Sequence, residues 1–310
     1  MAGASRGGQH PAGEAGSGRP RLAVTLGDPR GIGPEIVAKA LGDPRVAAAA
    51  NYTLVGPEGT GLAVHVSVGR WSPGASAAEA GRLAGVAVER AAELALAGSV
   101  QGMVTAPLDK SALYAGGFAD PGHTEMLARL TGRPVAMMLA STSLRVVLAT
   151  THVAFRDVPA ALTAAAILEA ATVTRDGLRD WFGLAEPRIA LCALNPHAGD
   201  NGRFGDEEHT LLAPAARQAR IAGPFPADTV FVRAMRGEFD AVIAPYHDVG
   251  MTAIKVAAFG QAVNITLGLP FPRTSPDHGT AIDIAGQGIA DASSMVQAML
   301  MAAEIAERIR

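Results

Sequence analysis

Three histidines each follow an apolar run of the kind that forms a buried strand. The runs RVVLAT, RIALCAL and DAVIA are followed by His152, His197 and His247. Ligands in open α/β sheets bind beyond the carboxyl ends of the strands, so imidazoles at these places can converge. Three neutral imidazoles with one open position suit a catalytic Zn²⁺, Co²⁺ or similar ion. Taken singly, each histidine also fits a strand-end cap, and the spacings of 45 and 50 residues match no local metal motif.

A carboxylate stands beside the third histidine. Asp248 directly follows His247, where it can orient the imidazole or accept a proton from a reacting group. The same residue type is equally suited to the N-cap of a helix or turn. The sequence therefore leaves both a chemical and a structural role open for Asp248.

Two other segments carry groups that bind anions. The segment GHTE predicts a helix start, where Thr124 is a candidate cap and His123 lies beside exposed backbone N–H groups. Lys255, Asn264 and Arg273 follow later, the last of them in the Pro-rich segment PFPRTS. Lysine offers a mobile point charge, and arginine offers a planar fork that matches phosphate. These residues predict an anion site, with a plain helix cap and a structural ion pair as the alternatives.

Two glycine-containing segments resemble nucleotide loops without matching a standard motif. GDPRGIGPE at residues 27–35 follows the first predicted strand, but Ile36 stands where G-x-G-x-x-G requires its third glycine. Pro34 suits the first turn of a helix, so a structural turn is the better interpretation. In HGTAIDIAGQG, small residues flank Asp283, and a carboxylate that accepts both ribose hydroxyls selects NAD over its 2′-phosphorylated form. A tight strand–helix connection explains that segment equally well.

Short apolar runs alternate with longer Ala-rich amphipathic stretches along the chain. This alternation predicts an α/β fold with a parallel or mixed sheet covered on both faces. The predicted strands are residues 21–26, 52–55, 102–105, 145–150, 188–194, 240–244 and 262–267. The predicted helices are residues 34–41, 77–97, 124–130, 162–182, 207–222 and 293–309. Residues 228–236 are expected to be short and mixed.

The composition excludes several classes of protein. Apolar residues make up 49% of the 310 residues and charged residues 18%, which excludes a disordered chain. A net charge of −3 argues against a nucleic-acid partner bound through a basic surface. The single cysteine, Cys192, excludes an intramolecular disulfide framework and fits a reducing compartment. Residues 1–20 are expected to be a disordered tail, and with no apolar leader and no membrane span we expect a cytoplasmic protein.

The motifs taken together resemble one enzyme family over residues 21–303. The matching stretches, in chain order, are GDPRGIGPEI, VTAPLDKSAL, PGHTEMLA, TTHVAFRDV, NPHAGDNGRFGDEE, GPFPADTVF, PYHDVGM and TLGLPFPRTSPDHGTAIDIAG. They resemble the 4-hydroxythreonine-4-phosphate dehydrogenase family of pyridoxal phosphate biosynthesis. The resemblance implies an isocitrate/isopropylmalate-dehydrogenase-like fold, in which two α/β domains flank a cleft and NAD binds without a Rossmann fingerprint.

The resemblance also implies an organisation of the chain and its assembly. Residues 21–125 and 257–310 would form the first domain, on the NAD side. Residues 126–256 would form the second, on the metal and dimer side. The family's pattern implies a homodimer with active sites at the interface and metal ligands drawn from both subunits.

The family's functional residues carry over onto matching positions of this sequence. The metal ligands would be His152, His197 and His247, holding Zn, Co or Mg. The substrate contacts would be His123, Thr124, Lys255, Asn264 and Arg273. The adenosine part of NAD would lie at His278, Gly279, Thr280 and Asp283, and the catalytic base would be Asp248 or Lys255.

The implied reaction is oxidation by NAD of the secondary alcohol of 4-phosphohydroxy-L-threonine, followed by decarboxylation to 3-amino-2-oxopropyl phosphate. A related branch of the family that acts on D-threonate or D-erythronate 4-phosphate is the alternative, because VTAPLDKSAL resembles that branch somewhat better. A three-His metal-dependent hydrolase and a non-catalytic phosphate or nucleotide sensor are alternatives of other classes. The sequence departs from the family pattern at Arg30, at Asp109 and in a shortened segment after Val55.

Overall fold

The computed structural model describes residues 18–258 and 260–310. The predicted tail therefore lies, for its first 17 residues, outside the described residues. Within them the chain forms one 11-stranded sheet with helices on its faces. The order of strands across the sheet is β3-β2-β1-β4-β11-β10-β5-β6-β9-β7-β8.

The bounds of the elements are as follows. The strands are β1 (Arg21–Thr25), β2 (Asn51–Glu58), β3 (Val66–Arg70), β4 (Gly102–Thr105), β5 (Ala136–Ala140), β6 (Arg145–Leu148), β7 (Ile189–Cys192), β8 (Ala222–Phe225), β9 (Ala241–Ala244), β10 (Val263–Leu267) and β11 (Arg273–Pro276). The helices are α1 (Gly33–Leu41), α2 (Pro44–Ala49), α3 (Ala77–Leu96), α4 (Lys110–Ala115), α5 (His123–Thr131), α6 (Val158–Ala161), α7 (Ala164–Asp180), α8 (Ala213–Ala219), α9 (Ala227–Met235), α10 (His247–Ala257) and α11 (Ser293–Arg308).

Two parallel blocks of strands run in opposite directions within the sheet. The block β3-β2-β1-β4-β11 and the block β6-β9-β7-β8 are each parallel throughout. Between them, β10 is antiparallel to β11 and to β5, and β5 is antiparallel to β6. The predicted mixed sheet is thus confirmed, while the division into two domains stays a prediction.

Continuous apolar strands place the core against both faces of the sheet. β1, β4 and β9 are buried almost throughout, as expected for strands covered on both sides. The Ala-rich helix α3 begins where Ser76 accepts a hydrogen bond from the backbone N–H of Glu79, 3.1 Å away, which satisfies one of the free donors at a helix start. On the opposite end of the chain, α11 packs against β11, and Thr274 donates a hydrogen bond to the carbonyl of Ala298.

Several elements differ from the sequence-based expectation. Residues 227–235 form a regular helix where a short mixed segment was expected, and α10 was not predicted at all. The predicted helix at residues 207–222 is instead a π-helical turn (Glu208–Leu212), α8 and the edge strand β8. β8 and β11 read AGPF and RTSP, so they lack the apolar run that signals a strand. Pairing with neighbouring strands forms them.

In the described residues no single helix is long and apolar enough to cross a membrane. One pair of helical segments, Phe155–Ala161 with Ala164–Asp180, passes the length and composition test jointly, with a bend of 84° between them.

A buried carboxylate shapes the loop that follows β7. Glu208 accepts hydrogen bonds from the backbone N–H groups of Leu194 and Asn195, at 2.9 and 2.7 Å, and from the side-chain amide of Asn195. Only 6% of Glu208 is exposed, so water cannot replace it as an acceptor. The bonds anchor the end of β7 from which His197 departs.

Replacing this carboxylate removes three acceptor contacts at once. We expect Glu208→Ala to lower the free energy of unfolding by about 2–4 kcal/mol, because buried donors are left unsatisfied. Urea denaturation followed by circular dichroism measures the difference. Glu186→Ala is the matched control, because Glu186 is exposed. Equal stability of the two variants would contradict the role assigned to Glu208.

Candidate active site

A cleft of about 380 Å³ lies at the junction of the two blocks of strands. Its walls come from the end of β4, from β5, β10 and β11, from the starts of α4 and α5, and from one face of α10. The polar residues that line it are Thr105, Lys110, His123, Thr124, Glu125, Thr151, His152, His247, Lys255, Asn264, Arg273, Ser275, Asp277 and His278. All five predicted substrate residues and two of the three predicted metal ligands thus lie in one cleft.

Arg273 is a buried cation at the floor of this cleft. It is the first residue of β11 rather than part of a loop, and only 2% of it is exposed. Its guanidinium donates to Thr105 Oγ1 at 2.6 and 3.1 Å and to Thr266 Oγ1 at 3.0 Å. Of its five N–H donors, these three bonds leave two free. Among residues 18–258 and 260–310 it forms no ion pair, so the structural ion pair considered above is not found there.

Burial lowers the pKa of Arg273 to about 10, and the charge of Glu125 partly offsets this. The guanidinium therefore stays protonated at neutral pH. A charge held in this way, with two free donors facing a cleft, is matched chemically by an anion such as phosphate.

His123 and Thr124 open helix α5 at the wall of the cleft. The N-cap is Gly122 and it forms no side-chain hydrogen bond, so Thr124 is not the cap that the sequence predicted. The Nε2 atom of His123 is buried and has no hydrogen-bond partner in the described part of the chain. Burial, followed by the charges of Arg273 and Lys110, holds the pKa of His123 well below its ordinary value. His123 is therefore a neutral imidazole beside two cations.

Two other predicted substrate residues complete this wall. The side-chain Oδ1 of Asn264, on β10, is buried without a partner in the described residues. Lys255 lies on α10, where its Nζ is 3.8 Å from Asp277 Oδ2. Because His247, Met251 and Lys255 are spaced four residues apart on one helix, they share the face that lines the cleft.

His152 and His247 come together although 95 residues separate them. Their ring centroids lie 5.6 Å apart, because β6 and β9 are neighbouring parallel strands. Burial, with smaller effects of Lys110 and His247, lowers the pKa of His152, which favours the neutral, metal-binding form.

Asp248 lies 2.8 Å from the Nδ1 atom of His247, measured from its Oδ1. A carboxylate in this position fixes the orientation of an imidazole. The N-cap of α10 is Tyr246, so Asp248 does not cap the helix.

His197 does not join the other two histidines within one chain. It is exposed, and it lines neither of the cavities that His152 and His247 line. It begins a run of five residues with positive φ, at 53, 54, 82, 42 and 56°, which turns the loop after β7 sharply. In the described residues no three His, Cys, Asp or Glu side chains are arranged to hold a metal. The three-His site therefore stays a prediction that requires a second subunit.

A second cavity, of about 470 Å³, lies beside the segment predicted to bind adenosine. The lining residues are Pro29, Arg30, Gly31, Pro34, Glu35, Ala38, Thr60, Gly61, Leu62, Ala285, Gly286 and Gly288. The chain at residues 278–288 joins the two cavities, since His278 and Gly279 line the cleft and Gly286 and Gly288 the second cavity. Asp283 is exposed on a short 3₁₀ turn and is not among the residues that line the second cavity.

The segment GDPRGIGPE packs directly against this connection. The backbone N–H of Ile32 donates to the carbonyl of Thr280 at 2.9 Å. A Cβ atom on Gly31 would lie 2.6 Å from that carbonyl oxygen, so only glycine permits the approach. On α1, Glu35 accepts from the backbone of Gly288 and Ala290, and Lys39 donates to both of their carbonyls. The predicted structural turn thus also forms a wall of the second cavity.

The two residues that depart from the family pattern contact each other. Arg30 forms a two-point ion pair with the fully buried Asp28, at 2.7 and 3.0 Å, and its guanidinium is 3.7 Å from Asp109. The hydrogen bond to Asp28 is the main cause of a raised pKa of Arg30. The charges introduced at positions 30 and 109 are therefore compensated locally.

Sequence reasoning missed Lys110, Glu125 and Asp277, which also line the cleft. The histidines were selected because each follows a buried strand, and the same reasoning applies to Lys110, which follows strand β4. Glu125 and Asp277 stand next to residues that were selected, but no pattern distinguishes them from surface carboxylates.

Comparison with known proteins identifies the family of this chain. The family profile described as pyridoxal phosphate biosynthetic protein PdxA matches residues 35–302. The 4-hydroxythreonine-4-phosphate dehydrogenase of Paracoccus denitrificans is 46% identical over 315 residues, covering 93% of this chain and 98% of that protein. The enzyme of the same name from Desulfosudis oleivorans is 44% identical over 323 residues, covering 92% and 95%.

Solved structures show the same relationship at the level of the fold. A crystal structure of 4-hydroxythreonine-4-phosphate dehydrogenase from Klebsiella pneumoniae superposes with a TM-score of 0.82 at 39% identity, covering 93% of this chain and 99% of that one. A terephthalate 1,2-cis-dihydrodiol dehydrogenase from Burkholderia xenovorans superposes with a TM-score of 0.65 at 28% identity, covering 92% and 98%. The predicted α/β fold class and the dehydrogenase class of enzyme are confirmed. The chain belongs to the PdxA family of pyridoxal phosphate biosynthetic proteins.

Proposed function

We propose that this dehydrogenase oxidises the secondary alcohol of 4-phosphohydroxy-L-threonine with NAD and that decarboxylation yields 3-amino-2-oxopropyl phosphate. The observation that carries the proposal is Arg273, a buried cation with two free N–H donors facing the cleft and no carboxylate partner among the described residues. Relatives at 41–46% identity that bear the name of this activity support the substrate.

The substrate's phosphate supplies the anion that Arg273 lacks. His123, through its buried and unpartnered Nε2, and Asn264, through its buried amide, offer further polar contacts in the same cleft. Thr124 adds a hydroxyl, and Lys255 adds a charge that Asp277 only partly balances at 3.8 Å. Binding energy from these remote contacts fixes the reacting carbon in place.

The divalent metal is assigned to His152 and His247 of one chain and to His197 of the second subunit of a homodimer. The donor chemistry fits, because neutral imidazoles suit Zn or Co, and Mg less well. When bound, the metal supplies a Lewis acid for the substrate oxygens. Asp248 orients the ring of His247, and Asp248 or Lys255 accepts the proton that leaves the substrate hydroxyl.

NAD is assigned to the two joined cavities, with His278, Gly279, Thr280 and Asp283 on the adenosine side. A Cβ on Gly279 or on Gly286 would meet no atom within 4 Å, so open space borders the connection at both cavities. The buried Nε2 of His278 also has no partner in the described residues. A cytoplasmic location and the absence of nucleic-acid partners remain predictions alongside this assignment.

The first test is formation of NADH by the purified enzyme. We expect absorbance at the NADH band to rise with 4-phosphohydroxy-L-threonine, more slowly or not at all with D-threonate or D-erythronate 4-phosphate, and to stop after chelation of divalent metal. Faster turnover of a sugar-acid phosphate would transfer the proposal to that branch. Absence of NADH with every phosphorylated hydroxy acid would overturn it.

Arg273 is tested by removing its charge at similar volume. We expect Arg273→Met to lower kcat/KM for the phosphorylated substrate on the order of 10- to 100-fold, because a charge-assisted contact to the substrate is lost. Arg145→Met is the control, since Arg145 is also partly buried but lines neither cavity. Steady-state kinetics that show the same modest change in both variants would remove Arg273 from the anion site.

The low pKa of His123 predicts the sign of a pH effect on stability. Because folding holds this pKa below the ordinary value of 6.5, the unfolded chain takes up a proton below that pH that the folded protein rejects. We therefore expect His123→Gln to lose less unfolding free energy than the parent does between about pH 7.5 and pH 5.5, measured by urea denaturation. The exposed His209→Gln serves as control. Identical pH profiles for His123→Gln and the parent would show the expectation to be wrong.

A further inference from the structure

The distribution of lysines in this chain is uneven. The sequence holds three lysines, Lys39, Lys110 and Lys255, against 23 arginines. Positive surface charge is thus supplied almost wholly by arginine. Lys110 and Lys255 line the cleft, and Lys39 braces residues 288–290 beside the second cavity. All three lysines thus place a compact charge with three donors beside a cavity or a cluster of carbonyls. This distribution indicates that Lys110 has a binding role in the cleft.

Lys110 lies in the wall of the cleft, five residues after the end of strand β4. It is the first residue of α4 and follows Asp109, whose side chain accepts from the N–H of Ala112 at 2.6 Å and so anchors the backbone there. Its Cε atom passes 3.6 Å from the place that a Cβ on Gly122 would occupy, so its stem runs along the start of α5. Lys110 lines the same cleft as His123 and His152, and its charge helps to lower the pKa of both imidazoles.

The charge of Lys110 has no partner in the described residues. It forms no ion pair or hydrogen bond within 18–258 and 260–310, whereas Lys39 is paired with Glu35 and Lys255 with Asp277. Glu125 also borders Gly122 at the cleft wall, but it forms no ion pair with Lys110. A lysine at the positive end of a helix is also placed where the helix dipole disfavours it. An anion bound in the cleft would relieve both costs.

We propose that Lys110 binds an oxyanion of the substrate and, with Arg273, supplies the two positive charges that flank His123. The inference rests on the proposed function, since it adds a specificity-determining residue to that site. A dianionic phosphate matches two cations better than one. A substrate that carries both phosphate and carboxylate presents two candidate oxyanions, and the chemistry of recognition is the same for each.

The rarity of lysine makes a direct binding test practicable. Limited reductive methylation of the native protein, read by peptide mass spectrometry, reports the accessibility of each of the three lysines. We expect inorganic phosphate to slow methylation of Lys110 while Lys39 is unaffected. Protection by malate but not by phosphate would assign Lys110 to the carboxylate of the substrate. Protection of Lys110 by neither anion would overturn the proposal.

Kinetics separate an anion contact from a structural role. We expect Lys110→Met to raise KM for the phosphorylated substrate on the order of 10-fold with little change in kcat, and Lys110→Arg to recover most of the loss. The thermal unfolding midpoint of both variants should match the parent. An unchanged KM in Lys110→Met, or a loss that Lys110→Arg does not recover, would count against the proposal.

The two proposals fail in distinguishable ways. Enzyme that forms no NADH with any phosphorylated hydroxy acid defeats the proposed function, yet the methylation experiment still decides whether Lys110 binds an oxyanion. The other outcome is that the enzyme forms NADH, anions do not protect Lys110 from methylation, and Lys110→Met leaves KM unchanged. The proposed function then stands, and only the role assigned to Lys110 is wrong.

Discussion

The floor of the cleft is formed by a single buried guanidinium, that of Arg273. Arg273 lies between two neighbouring strands, and each neighbour contributes one threonine hydroxyl to it. Burying an ion without a counter-charge costs roughly several kcal/mol even after relaxation. Three hydrogen bonds to neutral hydroxyl groups offset part of that cost. A bound anion would offset more of it. In the same cleft, His123 is held neutral, and the side-chain oxygen of Asn264 has no hydrogen-bond partner among the described residues.

The topology of the sheet sets the position of the cleft. Two parallel blocks of opposite direction meet through β10 and β5, and the cleft opens at that junction. Thr105 and Lys110, at and beyond the end of β4, line the same cleft as His152 and His247, which follow β6 and β9.

The connection at residues 278–288 couples this cleft to the second cavity. Glu35 and Lys39 of α1 form hydrogen bonds with the backbone of residues 288–290. The carbonyl of Thr280 accepts a hydrogen bond from the N–H of Ile32, in the turn that precedes α1. Arg30 lies in the wall of the second cavity, but its charge is already shared with Asp28 and Asp109. A ligand that spans both cavities thus meets small residues and backbone groups along one side and charged side chains at the cleft end.

The sequence by itself determined the fold class, the family, and more than half of the polar residues that line the cleft. Apolar runs marked the buried strands, and His123, Arg273 and the strand-end histidines were selected from their types and positions. What it did not determine was geometry that depends on long-range pairing. The helix that carries His247 and Lys255 contains Gly and β-branched residues, which weaken its local signal. Only the tertiary structure decided that β11, with no apolar run, closes the floor of the cleft, that Lys110 and Asp277 join it, and that His197 stands apart from its companions within one chain. Local patterns record burial and propensity, whereas the meeting of distant side chains is decided by strand order and loop direction, which short-range sequence does not encode.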